Sequence, residues 1–578
     1  MSQEKYYEQQ ITHYTRQSRQ IKRQRNYLTL LKLAVFSGLV IQIWHLIANG
    51  SLPYFLPALT LLLFILLNIR ESKIIRRQQL TEILLHLNTA EKAYLQGDLH
   101  ALPTGLSYLD TSHPYAHDLD LFGEHSLFQH LNRTVTANGT DLLADWLLRL
   151  CRDTDVLLQR QEAVGELAEM PEWCHRFRAL GQQHPTTSLS SAWLRQWQEE
   201  KPFFPHPSGT RLRLYILNTA GIASWLTGLL HLLPWSVALS FFFCQLLILA
   251  CYLKKVNAFH NRLNDFIRTT GNYLPLVRLI HQQPFRTTRL QTLQERLFRS
   301  EQNALNAFAS LRRIQEQLDQ RGNILAAFAL NGLYLKDLHT LLALDRWQST
   351  YSRHLPAWID SISEIDAFVS MANYRCNHPE DTLPVFSGTT LFEARDLGHP
   401  LLRNTRNVTN DFTLSSLHRL CIVTGANMAG KSTFLRAVGL NLVLAQSGNV
   451  VSCAHLSIQP VTLFTSMRTT DNLAKHVSYF HAEILRLRQL VDTARQEERL
   501  FIILDEILKG TNSTDKLNGS KAFLQKLLSY PVAGLVATHD LALGELAHEQ
   551  PWHFFNACFE ITYAGVGMTY DYKRRPGV

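Results

Sequence analysis

Hydrophobic positions fall into two patterns along this chain: long unbroken runs in its first half and short ones in its last third. The long runs come in pairs. Leu33 to Ala48 and Leu52 to Ile69 are joined by Asn-Gly-Ser, and Leu214 to Leu232 and Trp235 to Leu253 by Leu-Pro. About 20 apolar helical residues, or as few as about 17, cross a hydrocarbon core of about 30 Å. Each pair therefore predicts a transmembrane helical hairpin. The competing reading of any one run is a buried core helix, most serious for the short first run behind Lys32.

Between the pairs the pattern is helical and amphipathic. After a turn at Gly139, Leu142, Leu143, Trp146 and Leu147 share one helix side, and Arg160 to Leu167 continues in the same period. Residues 255–370 are rich in Gln, Arg and Leu, and Arg286 to Leu318 is their clearest amphipathic part. It predicts a solvated lever helix, with a DNA-gripping face as the rival reading. Near the C-terminus the runs shorten to Leu420–Thr424, Phe501–Leu504 and the stretch before His539 and Asp540. Runs of that length predict buried parallel strands.

Charge orients the hairpins. Arg16, Arg19, Lys22, Arg23 and Arg25 precede the first pair, and Arg70, Lys73, Arg76 and Arg77 follow it. Arg211 and Arg213 precede the second pair, and Lys254 and Lys255 follow it, while the joining loops hold no Lys or Arg. Basic flanks stay in the cytoplasm. Both hairpins then leave everything but their tips on that side. The first run lacks a small-residue cleavage site and leads into a second span, so no cleavable signal peptide is expected. The net charge of +9 over 578 residues is partly explained by these flanks, which suit an anionic membrane surface. The eight cysteines are scattered without a Cys-x-x-Cys, which indicates neither disulfides nor a structural metal.

Candidate chemistry sits in the short-run region. After Leu420–Thr424, Gly425-Ala426-Asn427-Met428-Ala429-Gly430-Lys431-Ser432 fits G-x-x-x-x-G-K-[ST], with Thr433 opening a helical pattern. Such a loop turns successive backbone N–H groups inward around a phosphate. The following helix adds roughly +0.5 charge at its N-terminus. Lys431 would reach the terminal phosphates and Ser432 would ligate Mg²⁺. Asp505 and Glu506 stand at the C-terminal end of the next strand, where ligands collect in open α/β sheets. Asp505 suits the Mg²⁺ shell, Glu506 the activation of water, and His539 the sensing of the γ-phosphate. The implied cofactors are ATP and Mg²⁺.

These segments resemble the ATPase domain of the MutS mismatch-repair family, a branch of the ABC-type ATPases. Thr424–Thr433, Ile503–Thr514 and Val536–Asp540 carry the resemblance, with further matches at Asp471, Leu473, Ser478, Phe480 and Glu483 and across Gly398–Leu414. Upstream, Ser126–Leu148 resembles the opening helices of the MutS core, and Trp358–Arg375 the helix leading from core to ATPase. The resemblance implies a homodimer through the ATPase domain, with DNA as a partner. It also implies that the loop Lys509–Gly519 touches the partner's nucleotide, through Asn512 or Ser513. This sequence departs from the family there: Leu508 replaces a Gly, Lys509 replaces an Arg, and extra residues precede Gly519. No counterpart of the family's mismatch-reading domain, connector or clamp is evident. The candidate signature loop follows Glu506, which disfavours a conventional ABC transporter.

The expected fold is an α/β P-loop domain of ABC/MutS type, preceded by an all-α core-like lever region that transmembrane hairpins interrupt. The expected divisions are a basic segment 1–30, a hairpin 31–70, a core-like half 71–210, a hairpin 211–255, a second helical half 256–385 and the ATPase domain 386–578. The expected function is ATP-dependent DNA binding by a membrane-tethered MutS relative without a mismatch reader. The alternative is a membrane machine in which dimer closure moves the hairpins, with no DNA. The expected location is multi-pass in a bacterial inner membrane, in contact with lipid, with the ATPase facing the cytoplasm.

Overall fold

A computed structural model of the chain describes residues 2–49, 53, 55–189, 194, 197–199, 202–319, 324–386, 388–402, 407–426, 429–468, 479–509, 512–564 and 567–577. Its helical part opens with α1 (Gln3–Asn49) and α2 (Phe55–Leu95), which pack against each other as an antiparallel hairpin. The basic N-terminal stretch is therefore no separate segment but the first half of a 47-residue helix. The reason lies in its apolar spacing. Tyr7, Ile21 and Leu28 are buried at multiples of seven residues, and Leu84, Leu87 and Tyr94 are buried on α2. Polar links flank this seam: Lys22 pairs with Glu82 at 3.0 Å, and Lys92 with Glu8 at 2.7 Å.

The helices α3 (Ala137–Leu148), α4 (Thr154–Ala168) and α5 (Pro171–Gln183) follow. Next come α6 (Pro207–Leu229) and α7 (Trp235–Gly271), which pair as a second hairpin. Both α1 and α7 contain stretches long and apolar enough to cross a membrane. The expected lever helix is broken in two. The sequence Arg299–Asn303 interrupts α9 (Thr288–Phe298) from α10 (Ala304–Asp319), after the short α8 (Leu274–Gln282). Asn303 accepts the Asn306 N–H and restarts the helix as a cap. Leu290, Leu293, Phe308 and Leu311 are fully buried, so this face packs into the core and is not a solvated arm.

Three more helices complete this part: α11 (Ile324–Tyr334), α12 (Lys336–Tyr351) and α13 (Leu355–Asn377). The apolar α11 escapes notice in the sequence because its 11 residues fall short of a span. It lies against α6 and α7, with the Phe328 and Phe242 rings 5.3 Å apart. α13 is the spine of the helical part, packing on α3, α4 and α9. Its buried Asp366 accepts the Val135 and Thr136 N–H groups and the Thr136 hydroxyl, fixing the start of α3.

Below this lie two sheets. β1 (Val385–Phe386), β2 (Phe392–Leu397), β3 (Asn410–Leu414) and β5 (His455–Ile458) form one, in the order β1-β5-β2-β3. The other contains β4 (Arg419–Gly425), β6 (Thr462–Ser466), β7 (Leu500–Asp505), β8 (Val532–Ala537), β9 (Phe554–Ala564) and β10 (Gly567–Pro576), in the order β10-β9-β4-β8-β7-β6. The central strands are parallel, and α14 (Lys431–Ser447), α15 (Tyr479–Gln496) and α16 (Ser513–Leu527) lie between them in sequence. A polar seam binds this domain to the segment before α3. Asp118 accepts from Thr465 Oγ1 at 2.7 Å and from the Met467 and Arg468 N–H groups at 3.0 Å. Asp120 holds Arg468 through two bonds of 2.6 and 3.0 Å.

Candidate functional site

The three apolar runs near the C-terminus become adjacent parallel strands because each is buried on both faces: β4 pairs with β8, and β8 with β7. Their C-terminal ends therefore open onto one edge of the sheet. At that edge β4 ends in Gly425, whose φ of +135° and position over the Phe559 carbonyl leave no room for a Cβ. Gly430, at φ +108°, caps α14 and starts it with Lys431. Ala429 is buried beneath the turn, and Ser432 and Thr433 are exposed on its first helical residues. Asn427 and Met428, the middle of the loop, lie outside the described residues.

Lys431 is the hinge of the polar cluster. Its ammonium donates to the Gly425 carbonyl at 2.5 Å and the Ala426 carbonyl at 3.0 Å, and lies 3.1 Å from His539 Nδ1. Burial holds it below the ordinary lysine value, with Asp505 pulling the other way. His539, just past β8, turns its Nε2 onto the Glu506 carboxylate. Lys431, His539 and Glu506 thus form one polar chain drawn from three separate strand ends.

Ser432 Oγ donates to Asp505 Oδ2 at 2.7 Å, which brings the two sequence-assigned Mg²⁺ ligands together. Mg²⁺ prefers hard oxygen donors, and takes one or two protein ligands with the remainder from phosphate and water. A hydroxyl and a carboxylate side by side fit that requirement. Among the described residues there is no cluster of three or more metal-binding side chains that would suit a structural metal.

Glu506 adopts φ +54° and Leu508 φ +59°, a conformation that costs a non-glycine residue energy and collects at functional sites. Two anchors hold the turn. Glu506 donates its N–H to the Ala537 carbonyl at 2.9 Å, and Glu483 on α15 accepts the Lys509 N–H at 3.0 Å. Burial pushes the Glu483 carboxyl up. Glu483 stands in the sequence only as a point of family likeness, and its place under this turn supplies a physical reason for it. Phe480 lies half-exposed on α15, and Asp471, Leu473 and Ser478 are outside the described residues.

Asn512 is the N-cap of α16: its Oδ1 accepts the Asp515 N–H at 2.9 Å and its Nδ2 donates to Asp515 Oδ2 at 2.7 Å. Ser513 is the first residue of that helix. Neither joins the Lys431–His539–Glu506 cluster. Sequence reasoning misses a cavity of about 390 Å³ beside Gly430, lined by His399, Asn407, Asn410, Thr433, Phe559 and Tyr572. Its walls come from α14, from β2, β3 and the loop between them, and from β9 and β10, elements distant in sequence.

Comparison with known proteins follows this division. The MutS domain V profile matches residues 421–578, and the MutS domain III profile matches residues 112–185. The DNA mismatch repair protein MutS of Treponema pallidum (strain Nichols) is 27% identical over 481 residues, covering 74% of this chain and 52% of that protein. The MutS of Thermotoga maritima is 35% identical over 226 residues, 38% of this chain and 27% of its own length. DNA mismatch repair protein MutS 2 of Halobacterium salinarum is 31% identical over 221 residues, 38% of this chain and 25% of its own. The chain therefore spans about half the length of the first of these and about a quarter of the others. With domain III matched in its helical part and domain V around the glycine loop, the chain is similar to MutS proteins over both of these regions.

Proposed function

We propose that this protein is a dimeric, membrane-tethered ATPase that couples Mg²⁺-dependent ATP hydrolysis to DNA binding. The observation that carries the ATPase reading is the convergence of Lys431, the Ser432–Asp505 pair and the Glu506–His539 pair at one sheet edge, and the DNA part rests on the likeness to MutS proteins. Loop N–H groups and the N-terminus of α14 would hold the phosphates, and Lys431 would leave the Gly425 carbonyl for a phosphate oxygen. Ser432 and Asp505 would hold Mg²⁺, which supplies charge neutralisation on the phosphates when bound. Glu506 would take the proton of the attacking water, and His539 would hold that carboxylate in place. The cavity next to Gly430, with the rings of Phe559 and Tyr572, suits the base and ribose.

The test is ATP turnover by the full chain in detergent, alone and with duplex, mismatched or branched DNA. DNA of one class should raise the rate, and Lys431→Ala should abolish binding of a labelled ATP analogue. Turnover that no DNA alters would favour the alternative machine, in which ATP moves the hairpins. Unchanged analogue binding by Lys431→Ala would remove this site from consideration.

The membrane reading is supported by the outer faces of both hairpins. Trp44, Ile47, Leu59, Ile216, Leu226 and Leu247 are among many large apolar side chains standing exposed. So much contiguous apolar surface is foreign to soluble monomers. With basic flanks inside, a cysteine at Asn49 or Ser51 should react with an impermeant reagent on intact cells, and one at Lys73 should not. The reverse pattern, or recovery in the soluble fraction without detergent, would dismiss both hairpins.

A further inference from the structure

A second basic feature lies away from the glycine loop, where the base of the first hairpin meets the helical part. A cavity of about 400 Å³ opens between α2, α5, α8 and α10, lined by Arg76, Arg278, Arg312, Arg313 and His184, with Glu316 as its one acid. Among the described residues Arg76, Arg278 and Arg313 have no carboxylate partner. Arg312 is held at the cavity wall: its Nη1 donates to Asn272 and Gln315 at 3.3 Å, and its Nε lies 3.5 Å from Glu316. Burial and the nearby Arg312 and Arg76 hold His184 below the ordinary histidine value, as a positive local field requires.

We infer that this cavity is a binding site for a small, multiply charged phosphate-bearing molecule. Four arginines line one space, three of them exposed and without a carboxylate partner among the described residues, and a polyanion is the ligand that can bridge them. Guanidinium forks match phosphate oxygens in geometry as well as charge. The volume of about 400 Å³ falls in the range of small-molecule sites and is too small to seat a duplex. The ligand would tie α2, the continuation of the first hairpin, to α8, which follows the second hairpin, and to α10, which packs against it. The site stands on the cavity and its arginines, independently of the ATPase reading. Its phosphate could come from a soluble molecule or from a lipid headgroup at the membrane face.

The experiment uses the full chain carrying Lys431→Ala, so that the glycine loop does not contribute. Inorganic pyrophosphate is titrated by calorimetry in detergent. The same protein is then compared in nanodiscs of phosphatidylglycerol and of phosphatidylcholine. Pyrophosphate should bind one-to-one, and Arg278→Gln/Arg313→Gln should weaken it by on the order of tenfold or more. Both arginines are exposed, so the variant should fold, and Arg76→Gln provides an independent check. Bound anion should also raise the His184 titration seen by NMR. Pyrophosphate binding alike in both lipids assigns a soluble ligand. Thermal stabilisation by phosphatidylglycerol, lost in the double variant, assigns a headgroup. Absence of both responses, responses that the arginine variants do not alter, or displacement of pyrophosphate by duplex DNA would each overturn the inference.

Discussion

Glu506→Gln should leave ATP bound and slow its hydrolysis by about 10²–10⁴-fold, the range a positioned general base contributes. Glutamine keeps the size and the contact with His539 but cannot accept a proton from water. Binding should survive because the groups assigned to the phosphates and Mg²⁺ lie on other residues: Lys431, Ser432 and Asp505. The backbone argues for the assignment as well. A glutamate in the left-handed region is held there against its preference, by the Ala537 carbonyl on one side and the Glu483-anchored turn on the other. That placement turns the carboxylate onto His539. His539→Ala should then cost less than Glu506→Gln, since it loosens the base without removing it. The measurements are steady-state turnover and equilibrium binding of a labelled analogue. Parental turnover by Glu506→Gln would mean that another group activates the water.

The second large effect is on stability. Glu91→Ala should lower the unfolding free energy by about 3–5 kcal/mol, because it strands two buried cations. Glu91 on α2 is completely buried. It accepts from Arg133 Nε at 2.8 Å, Arg178 Nη2 at 2.7 Å and Asn377 Nδ2 at 2.9 Å, and Asn377 in turn accepts the Tyr7 hydroxyl at 2.6 Å. One carboxylate thus knots α1, α2, α5 and α13 together with the strand-like stretch before α3. Burial alone would push its carboxyl up, but Arg133 and Arg178 outweigh that and hold it far below the usual range. A depressed carboxyl stabilises the fold fully above its unfolded value of 4.5, and loses that contribution as pH falls below it. Wild-type protein should therefore weaken below about pH 4.5 more steeply than Glu91→Ala, whose loss is already complete. Chemical unfolding in detergent at two pH values tests both halves. A penalty under about 1 kcal/mol would mean that water reaches the knot.

The parts of this fold legible in the sequence are those written as continuous patterns. β4, β7 and β8 are visible as apolar runs because strands buried on both faces need no polar alternation, and Gly425, Asp505 and His539 mark their ends. The two pairs of apolar helices are visible for a similar reason, through the length of the runs and the short joins between them. What stays hidden depends on partners far apart in the chain. Asp118 binds Thr465 and the backbone beyond it, and Glu91 joins Arg133, Arg178 and Asn377; nothing local to any of these residues announces the pairing. The lever misleads because Leu290, Leu293, Phe308 and Leu311 read equally well as one amphipathic stripe or as two short helices. Only the Arg299–Asn303 interruption, a weak signal of five polar residues, separates the two readings.

The unbroken course of α2 makes the Glu91 knot a fulcrum. From Glu91 to Phe55 runs roughly 54 Å of continuous helix, stiff over that length. A rotation of α2 by about 10° about the knot would carry the far end about 9 Å. Such an angle would become, at the hairpin tip, a displacement comparable to the spacing between two packed helices.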